Sequence, residues 1–334
     1  MNGEVHLEVD FASDWELYSQ AWKRSMNDFY WYKLDPIFDF NKNEELDEMR
    51  FDFDKPGNLF IVASNSGSNE IVGVLGLRYR DVVARIRRWE PAVISEFRNE
   101  KVTEILLDKA IEYLESMGVK RIGYLLKYPI DSPELVEKLL TQYQSAGFEP
   151  SRPDSVDLVM SLESFNPHIE DPIDLEIETG EGYTFEDLAS ITVKSFTSTP
   201  EEREIHGFDK TVTEHIQATA LLQRMAEGFY GHSPNEFRKI AVVNGVPAGF
   251  LGAFVSKSKF KPLTGVLGPL AVLPDFRRRG VALHLVYKLL QTLKQYGCEY
   301  AAVGTPAANT GAIKLYEKAG FEISCRVVNL EMML

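Results

Sequence analysis

The chain has little that would support a disulfide framework or a metal site. Only two cysteines occur among its 334 residues, Cys298 and Cys325, and neither they nor the six histidines have the spacing of metal ligands. We therefore expect a protein of a reducing compartment that binds no metal. The first residues lack a basic stretch followed by an apolar one, and no apolar run approaches the roughly 18 residues that a membrane helix needs. These absences predict a soluble, cytoplasmic protein.

An excess of positive charge is also missing. The chain carries 36 lysines and arginines against 50 aspartates and glutamates, for a net charge of -14. A protein that binds a nucleic-acid backbone needs a basic face, so nucleic acid is excluded as a partner. The acidity favours a cationic acceptor, although solubility alone is an alternative explanation for it.

The two halves of the chain repeat each other. Residues Ala92–Thr103 resemble Ala271–Ala282 at a constant spacing of 179 residues, the difference between 271 and 92. Residues Ala146–Glu149 resemble Ala319–Glu322 at a spacing of 173, the difference between 319 and 146. Such internal similarity in a chain of this length predicts two domains of the same fold.

Each half has the pattern of an α/β domain. The apolar positions after Gly280 recur at the spacing of one helical face until Gly297 ends the helix, and the first half has a similar helix that ends at Gly118. We expect in each half a mixed, mostly antiparallel central sheet flanked by helices. The polar segment Ser164–Pro172 contains two prolines and is typical of a linker. The predicted domains are 1–164 and 173–334.

A basic loop in the second half has the features of an anion site. It joins an apolar strand to a helix, whose first N–H groups have no partner within the helix and lie at the positive end of its dipole. Gly280 allows close approach of a phosphate, and Ala282 keeps the entry narrow. Positive charge comes from Arg277, Arg278 and Arg279. Alternatively, the three arginines are only a run of solvent-exposed charges that binds no ligand.

The loop matches neither a dinucleotide-binding nor a nucleoside-triphosphate motif. Residues 277–282 instead resemble the signature [QR]-x-x-G-x-[GA] of the GNAT superfamily of N-acetyltransferases, and residues 309–321 resemble its N-x-x-[AS]-x-x-x-Y-x-x-x-G-F. The resemblance covers roughly 175–334 directly, and 1–163 through the internal repeat. The two-copy layout is similar to that of mycothiol synthase and other tandem acetyltransferases.

This resemblance implies that acetyl-coenzyme A is the co-substrate. The loop and helix start would bind its pyrophosphate, and the backbone of the preceding strand would bind the pantetheine and the thioester oxygen. The residues that the resemblance places in contact with the co-substrate are Leu270, Ala271, Val272, Arg277, Arg278, Arg279, Gly280, Val281, Ala282 and Asn309.

Tyr316 is the candidate general acid. It lies seven residues after Asn309, so both project from one helical face, and its phenol could protonate the departing thiolate. Alternatively, Tyr316 is an aromatic residue of the core with no part in catalysis. Tyr143 occupies the same place in the first half, where Lys101 replaces Gly280 and Val136 replaces the asparagine. We therefore expect the first half to bind coenzyme A poorly or not at all, and to act as a scaffold or to shape the acceptor cleft.

No general base is assigned. The strand segment Thr264–Leu270 has no carboxylate, and Pro269 removes one backbone donor. The aromatic run Phe29–Tyr32 is a candidate lining of an acceptor pocket of the first domain, with helix packing as the alternative. Candidates that surface charge also explains are Glu201, Glu202, Glu204, His206 and Tyr230.

The predicted function is direct transfer of an acetyl group from acetyl-coenzyme A to an amine of a small molecule or peptide. A covalent enzyme intermediate is not expected, because neither cysteine lies in a motif and Ser256 and Ser258 lack a recognisable base. Two alternatives remain open. One is a non-catalytic acyl-coenzyme-A-binding or regulatory protein, and the other is transfer of a longer acyl or an aminoacyl group.

Overall fold

The computed structural model describes residues 6–27, 42–98, 101–130, 133–166, 174–197, 207–256 and 261–334. No helix in these ranges has both the length and the apolar stretch needed to cross a membrane. The helices are α1 Trp15–Asn27, α2 Lys42–Asp52, α3 Val102–Ser116, α4 Pro133–Ser145, α5 Phe185–Phe196, α6 Lys210–Thr213, α7 His215–Ala226, α8 Val281–Tyr296 and α9 Thr310–Ala319.

The strands fall into the same order in both halves of the chain. They are β1 Leu7–Phe11, β2 Asn58–Asn65, β3 Glu70–Arg80, β4 Val83–Ile86, β5 Ala92–Val93, β6 Arg121–Pro129, β7 Glu149–Pro150, β8 Ser155–Ser161, β9 Leu175–Thr179, β10 Lys239–Val243, β11 Val246–Val255, β12 Thr264–Val272, β13 Tyr300–Pro306 and β14 Glu322–Met333.

The chain divides into two compact units, and the first takes a strand segment from the far end of the sequence. The first unit contains the described residues up to Arg152 together with Val327–Leu334, and the second contains Pro153–Arg326. The predicted division into 1–164 and 173–334 describes the two sequence copies and stays a prediction about the domains.

The first unit is built on a mixed sheet. Strands β1 to β4 pair antiparallel in sequence order, and β4 pairs parallel with β6. The C-terminal part of β14 pairs with β7. One core lies between this sheet and α3 and includes Val328, Leu330 and Met332 of β14. A second, smaller core contains Tyr18 and Trp22 of α1.

The second unit repeats this arrangement. Strands β9 to β12 pair antiparallel in sequence order, β12 pairs parallel with β13, and β13 pairs antiparallel with β8. The helices α8 and α9 cover one core, and α5 and α7 contribute to the other. Both units therefore have the predicted fold, a mixed and mostly antiparallel sheet flanked by helices.

Local signals place the helix ends where the sequence predicts them. Gly297 ends α8 with a φ of 100°, and Gly118 follows α3 with a φ of 77°. Glycine adopts this left-handed conformation without the penalty that a Cβ brings. At the start of α5, the hydroxyl of Thr184 accepts a hydrogen bond from the backbone N–H of Asp187, whose carboxylate accepts one from the backbone of Thr184.

Candidate active site

The loop after β12 ends in a left-handed glycine at the start of α8. Gly280 has φ 84° and ψ -8°, and no side chain caps the first turn of the helix. An added Cβ would lie 3.5 Å from His284 Nδ1, an ordinary contact, so the positive φ is what requires glycine here. The ring nitrogen Nδ1 of His284 lies 3.0 Å from the carbonyl oxygen of Gly280. The turn thus presents the first N–H groups of α8 to an anion.

Arg277 is engaged within the protein. Its Nε donates to the carbonyl oxygen of Val272 at 3.1 Å, and its Nη2 donates to that of Ser195 in α5 at 2.6 Å. The other two arginines are exposed, and the guanidinium of Arg279 lies 5.7 Å from the ring centroid of Phe276. The predicted positive charge for a phosphate is therefore best supplied by Arg278 and Arg279, whereas Arg277 holds the loop against β12 and α5.

The first unit has the same arginine contacts. Arg98, 179 residues before Arg277, donates from Nε to the carbonyl oxygen of Val93 at 3.1 Å and from Nη2 to that of Ser25 at 3.0 Å. The helix α3 then begins after Lys101, which has φ -75° and makes an ion pair with Glu104. The two units share the arginine contacts and differ in the residue that precedes the helix.

Strands β12 and β13 part next to the loop. Their parallel pairing runs from Thr264 opposite Tyr300 to Val266 opposite Ala302, and both strands continue beyond it. The register of β12 against β11 shifts by one residue between Leu267 and Leu270. Such a bulge turns a strand away from its neighbour. Beyond Val266 and Ala302 no pairing joins the described residues of the two strands, and the gap between them, next to the start of α8, is the candidate cleft.

The backbone direction in β12 separates the three predicted main-chain donors. The N–H of Leu273 donates to Ala248 of β11, and donors alternate along an antiparallel pair. The N–H of Ala271 therefore also faces β11, while those of Leu270 and Val272 face the side of the cleft. Leu270 and Val272 have the orientation that a thioester oxygen or a pantetheine amide requires, and Ala271 belongs to the β11 ladder.

Met225 of α7 covers the bulge on the other face of the sheet. An added Cβ at Gly268 would lie 2.9 Å from its Cε, and one at Gly252 would lie 3.5 Å from it. The sheet therefore carries glycines where the methionine packs. Tyr230, a candidate near the acceptor, packs its ring 5.0 Å from Phe229 and 5.7 Å from Phe254. The other candidates for this region, Glu201, Glu202, Glu204 and His206, lie outside the described residues, as does the run Phe29–Tyr32, which is the candidate lining for a pocket of the first domain.

Asn309 and Tyr316 lie on α9 as the sequence predicts. The side-chain oxygen of Asn309 caps the helix by accepting a hydrogen bond from the N–H of Ala312 at 3.1 Å. The ring of Tyr316 is buried and packs edge-on against Phe321, with centroids 5.6 Å apart. Burial raises the pKa of the Tyr316 phenol well above its usual value, so it remains protonated at neutral pH. The same burial makes the phenol a weaker acid, so proton transfer from Tyr316 to a thiolate requires that the site stabilise the phenolate that forms.

The corresponding tyrosine of the first unit has an internal partner. The hydroxyl of Tyr143 donates to the carbonyl oxygen of Glu90 at 2.7 Å, and its ring stacks on Tyr124 with centroids 4.5 Å apart. In the second unit, Val303 stands 179 residues after Tyr124. The first unit therefore has two stacked aromatic rings at this position. The second unit has the smaller Val303 in place of Tyr124.

Sequence reasoning missed a buried carboxyl group in the first unit. The hydroxyl of Tyr18 donates to both oxygens of Glu90, at 3.1 and 3.0 Å, and the N–H of Gly76 donates to Oε2. An added Cβ at Gly76 would lie 2.8 Å from Glu90 Oε2 and 2.8 Å from Arg87 Cδ, so this glycine makes room for both. Burial raises the pKa of the Glu90 carboxyl to about 7. A signal was present, because Glu90 stands between Trp89 and the apolar stretch Pro91–Ile94.

Comparison with known proteins places these features in one family. A model of the Acetyltransferase (GNAT) family matches residues 20–131 and 199–321. An Aminoglycoside N(6')-acetyltransferase type 1 of Salmonella typhimurium is 34% identical over 94 residues, covering 27% of this chain and 64% of the relative. An uncharacterized N-acetyltransferase of Methanocaldococcus jannaschii is 29% identical over 105 residues, covering 30% and 42%. N-alpha-acetyltransferase 30 of Xenopus laevis is 37% identical over 57 residues, covering 17% and 21%. Each match spans less than two thirds of the relative's length.

Solved structures share the two-unit fold. A GCN5-related N-acetyltransferase from Sphaerobacter thermophilus superposes with a TM-score of 0.65 at 16% identity, covering 98% of this chain and 95% of that one. A tandem GNAT protein from the clavulanic acid biosynthesis pathway superposes with a TM-score of 0.54 at 16% identity, covering 98% of both chains. At such identities the likeness concerns the fold.

Proposed function

Because the chain belongs to the acetyltransferase (GNAT) family, we propose that its second half transfers the acetyl group of acetyl-coenzyme A to an amine. The proposal rests on one observation, the uncapped start of α8 behind a left-handed Gly280 at the mouth of the cleft between β12 and β13. Such a helix start binds a diphosphate through its N–H groups, so the residues present fit this co-substrate.

The residues that would hold acetyl-coenzyme A fall into two groups. The N–H groups of Val281 and Ala282, together with Arg278 and Arg279, would bind the pyrophosphate. The N–H groups of Leu270 and Val272 would orient the pantetheine arm and stabilise charge on the thioester oxygen. When bound, acetyl-coenzyme A supplies an acetyl carbon that exchanges its bond to sulfur for a bond to the amine nitrogen.

Tyr316 is the residue that we propose as general acid. Its phenol keeps its proton at neutral pH and can give it to the sulfur that leaves as a thiolate. The amine loses its own proton to a base that we leave unassigned, since β12 carries no carboxylate and Met225 covers the bulge. Asn309 would act by capping α9 and so holding Tyr316 in place.

We assign catalysis to residues 173–334 and a supporting role to residues 1–164. In the first half, Lys101 precedes the helix where Gly280 stands in the second, and Tyr143 already donates to Glu90. A long side chain at the helix start and a phenol bound to the backbone both oppose binding of coenzyme A in this half. The acceptor is an amine of a small molecule or peptide, a class that includes what the names of the aminoglycoside and N-alpha relatives describe.

A thiol-release screen tests this function. The purified full chain is mixed with acetyl-coenzyme A and with amines, amino acids, polyamines, aminoglycosides or peptides, and free thiol is measured over time. We expect release that depends on one class of amine. If acetyl-coenzyme A binds without release for any amine, the protein is an acyl-coenzyme-A-binding protein. If acetyl-coenzyme A does not bind at all, the proposed binding site at the start of α8 is wrong.

A further inference from the structure

A cavity in the second unit lies apart from the proposed acetyl-coenzyme A site. It has a volume of about 630 Å³ and opens beside the end of α9 and the start of β13. Its walls include Phe165, Tyr287, Tyr300, Glu322 and Met160, and none of the residues that we assign to the co-substrate lines it. A volume of this size lies in the range of small-molecule sites, and the cavity is shallow and largely open to solvent.

The wall of the cavity is held in place by hydrogen bonds. The ammonium group of Lys294 donates to the carbonyl oxygens of Glu163 and Phe165, both at 2.8 Å. The ring of Phe165 then packs near that of Tyr287, with centroids 6.1 Å apart. On the opposite side, an added Cβ at Gly320 would lie 3.2 Å from Met160 Cε, so the end of α9 packs closely on β8. The backbone of Phe165 is therefore held by α8, and its ring lies near that of Tyr287.

The ammonium of Lys294 is engaged by the two carbonyl oxygens behind the wall, and the charge on the lining itself is negative. Among the described residues that line it, Glu322 carries the only charged side chain, and it is exposed. The last residue of α9, Ala319, also lines the cavity, so the negative end of the helix dipole faces it. The hydroxyl of Tyr287 donates to the carbonyl oxygen of Lys318 at 3.3 Å, which brings this ring to the helix end.

We propose that this cavity binds a small organic cation, a protonated amine with an apolar or aromatic body. The ammonium group would face Glu322 and the end of α9, and the rings of Phe165, Tyr287 and Tyr300 would pack on the body of the ligand. Aromatic faces attract cations. None of the residues that we assign to acetyl-coenzyme A lines this site, so its occupation does not depend on binding of the co-substrate.

Binding of 2-phenylethylamine to the full chain, measured by titration calorimetry at neutral pH, tests this assignment. The neutral isostere 2-phenylethanol is the chemical control. We expect the amine to bind with a dissociation constant below about 10 mM and the alcohol to bind at least tenfold more weakly. The same affinity is expected for the variant Gly280→Glu, in which the proposed co-substrate site is blocked. Equal binding of the alcohol, or no binding of the amine, overturns the proposal.

Single substitutions locate the ligand. Glu322→Gln and Tyr287→Ala should each weaken binding of the amine at least tenfold, whereas Tyr287→Phe, which keeps the ring, should retain it. Glu317→Gln is the matched control, because Glu317 is an exposed carboxylate of α9 that does not line the cavity. Unchanged affinity in Glu322→Gln, or an equal loss in Glu317→Gln or Gly280→Glu, would show that the amine binds elsewhere. Each variant is checked for an unchanged melting temperature.

Discussion

The Nη2 atom of Arg277 donates a hydrogen bond to the carbonyl oxygen of Ser195 at 2.6 Å, which joins the loop before α8 to the last turn of α5. The first unit contains the same bond between Arg98 and Ser25. Only the second unit has a glycine at the helix start. A substitution of Arg98 therefore reports the structural effect of this bond alone, whereas a substitution of Arg277 also reports its effect on the proposed site.

Replacing Arg277 by methionine should weaken both folding and co-substrate binding. Hydrogen bonds from a charged donor contribute about 1.5–3 kcal/mol each, and the loop loses its attachment to α5. We expect a lower free energy of unfolding in urea and a KM for acetyl-coenzyme A raised at least fivefold, with a smaller change in kcat. Arg98→Met should cost similar stability and leave the KM unchanged. A raised KM in both variants, or in neither, contradicts the positioning role of Arg277.

Gly280→Ala should weaken binding of acetyl-coenzyme A through backbone conformation. A non-glycine residue pays roughly 1–2 kcal/mol for the left-handed region, so the alanine shifts the turn that presents the N–H groups of α8. The rise in melting temperature on adding acetyl-coenzyme A should shrink or vanish. Gly297→Ala, with a φ of 100° at the other end of α8 and no atom within 4 Å of an added Cβ, is the matched control. It should lose similar stability and keep the full rise.

Tyr316→Phe should reduce turnover much more than co-substrate affinity. Loss of a general acid typically lowers rates by about 10²–10⁴, and the ring, which packs on Phe321, stays in place. Steady-state kinetics should show a lower kcat at a similar KM. Unchanged turnover would leave Tyr316 as a core residue only.

The matching change Tyr143→Phe removes a buried hydrogen bond to Glu90. It should lower the free energy of unfolding by about 1–2 kcal/mol and leave kcat nearly unchanged. A large loss of turnover in this variant would mean that the first half takes part in catalysis.

The buried carboxyl of Glu90 should make stability depend on pH. Burial raises its pKa from 4.5 to about 7, so the folded state holds this proton more tightly than the unfolded state. The stabilisation is complete below about pH 4.5 and is lost as the pH rises to about 7, after which it changes no further. Relative to the wild type, Glu90→Gln should therefore gain on the order of 3 kcal/mol between pH 4 and pH 8.

Urea unfolding at the two pH values measures this difference. Glu115→Gln, at an exposed position on α3, should show no comparable gain. A parallel pH dependence in wild type and Glu90→Gln would mean that Glu90 keeps an ordinary pKa in the folded protein.

Much of the proposed site could be predicted because its signals are local. The strand, the glycine loop and the helix start lie within the dozen residues from Ala271 to Ala282, and Asn309 and Tyr316 share one helix. Helical periodicity and glycine conformation depend on neighbouring residues, so they are visible in sequence. The sequence did not show that Arg277 has a different role from Arg278 and Arg279. That role depends on a hydrogen bond from Arg277 to Ser195, which lies 82 residues earlier in the chain.

The order of motifs, the two copies of one α/β fold, the helix at Gly280 and the position of Tyr316 follow from the sequence alone, because each depends on short-range periodicity or on similarity between the halves. Tertiary structure decided that Val327–Leu334 belongs to the first unit, that Tyr143 donates to Glu90, and that Leu270 and Val272 face the cleft. These are pairings between residues far apart in the chain, and packing of the whole core selects them from many alternatives that the local sequence permits equally well.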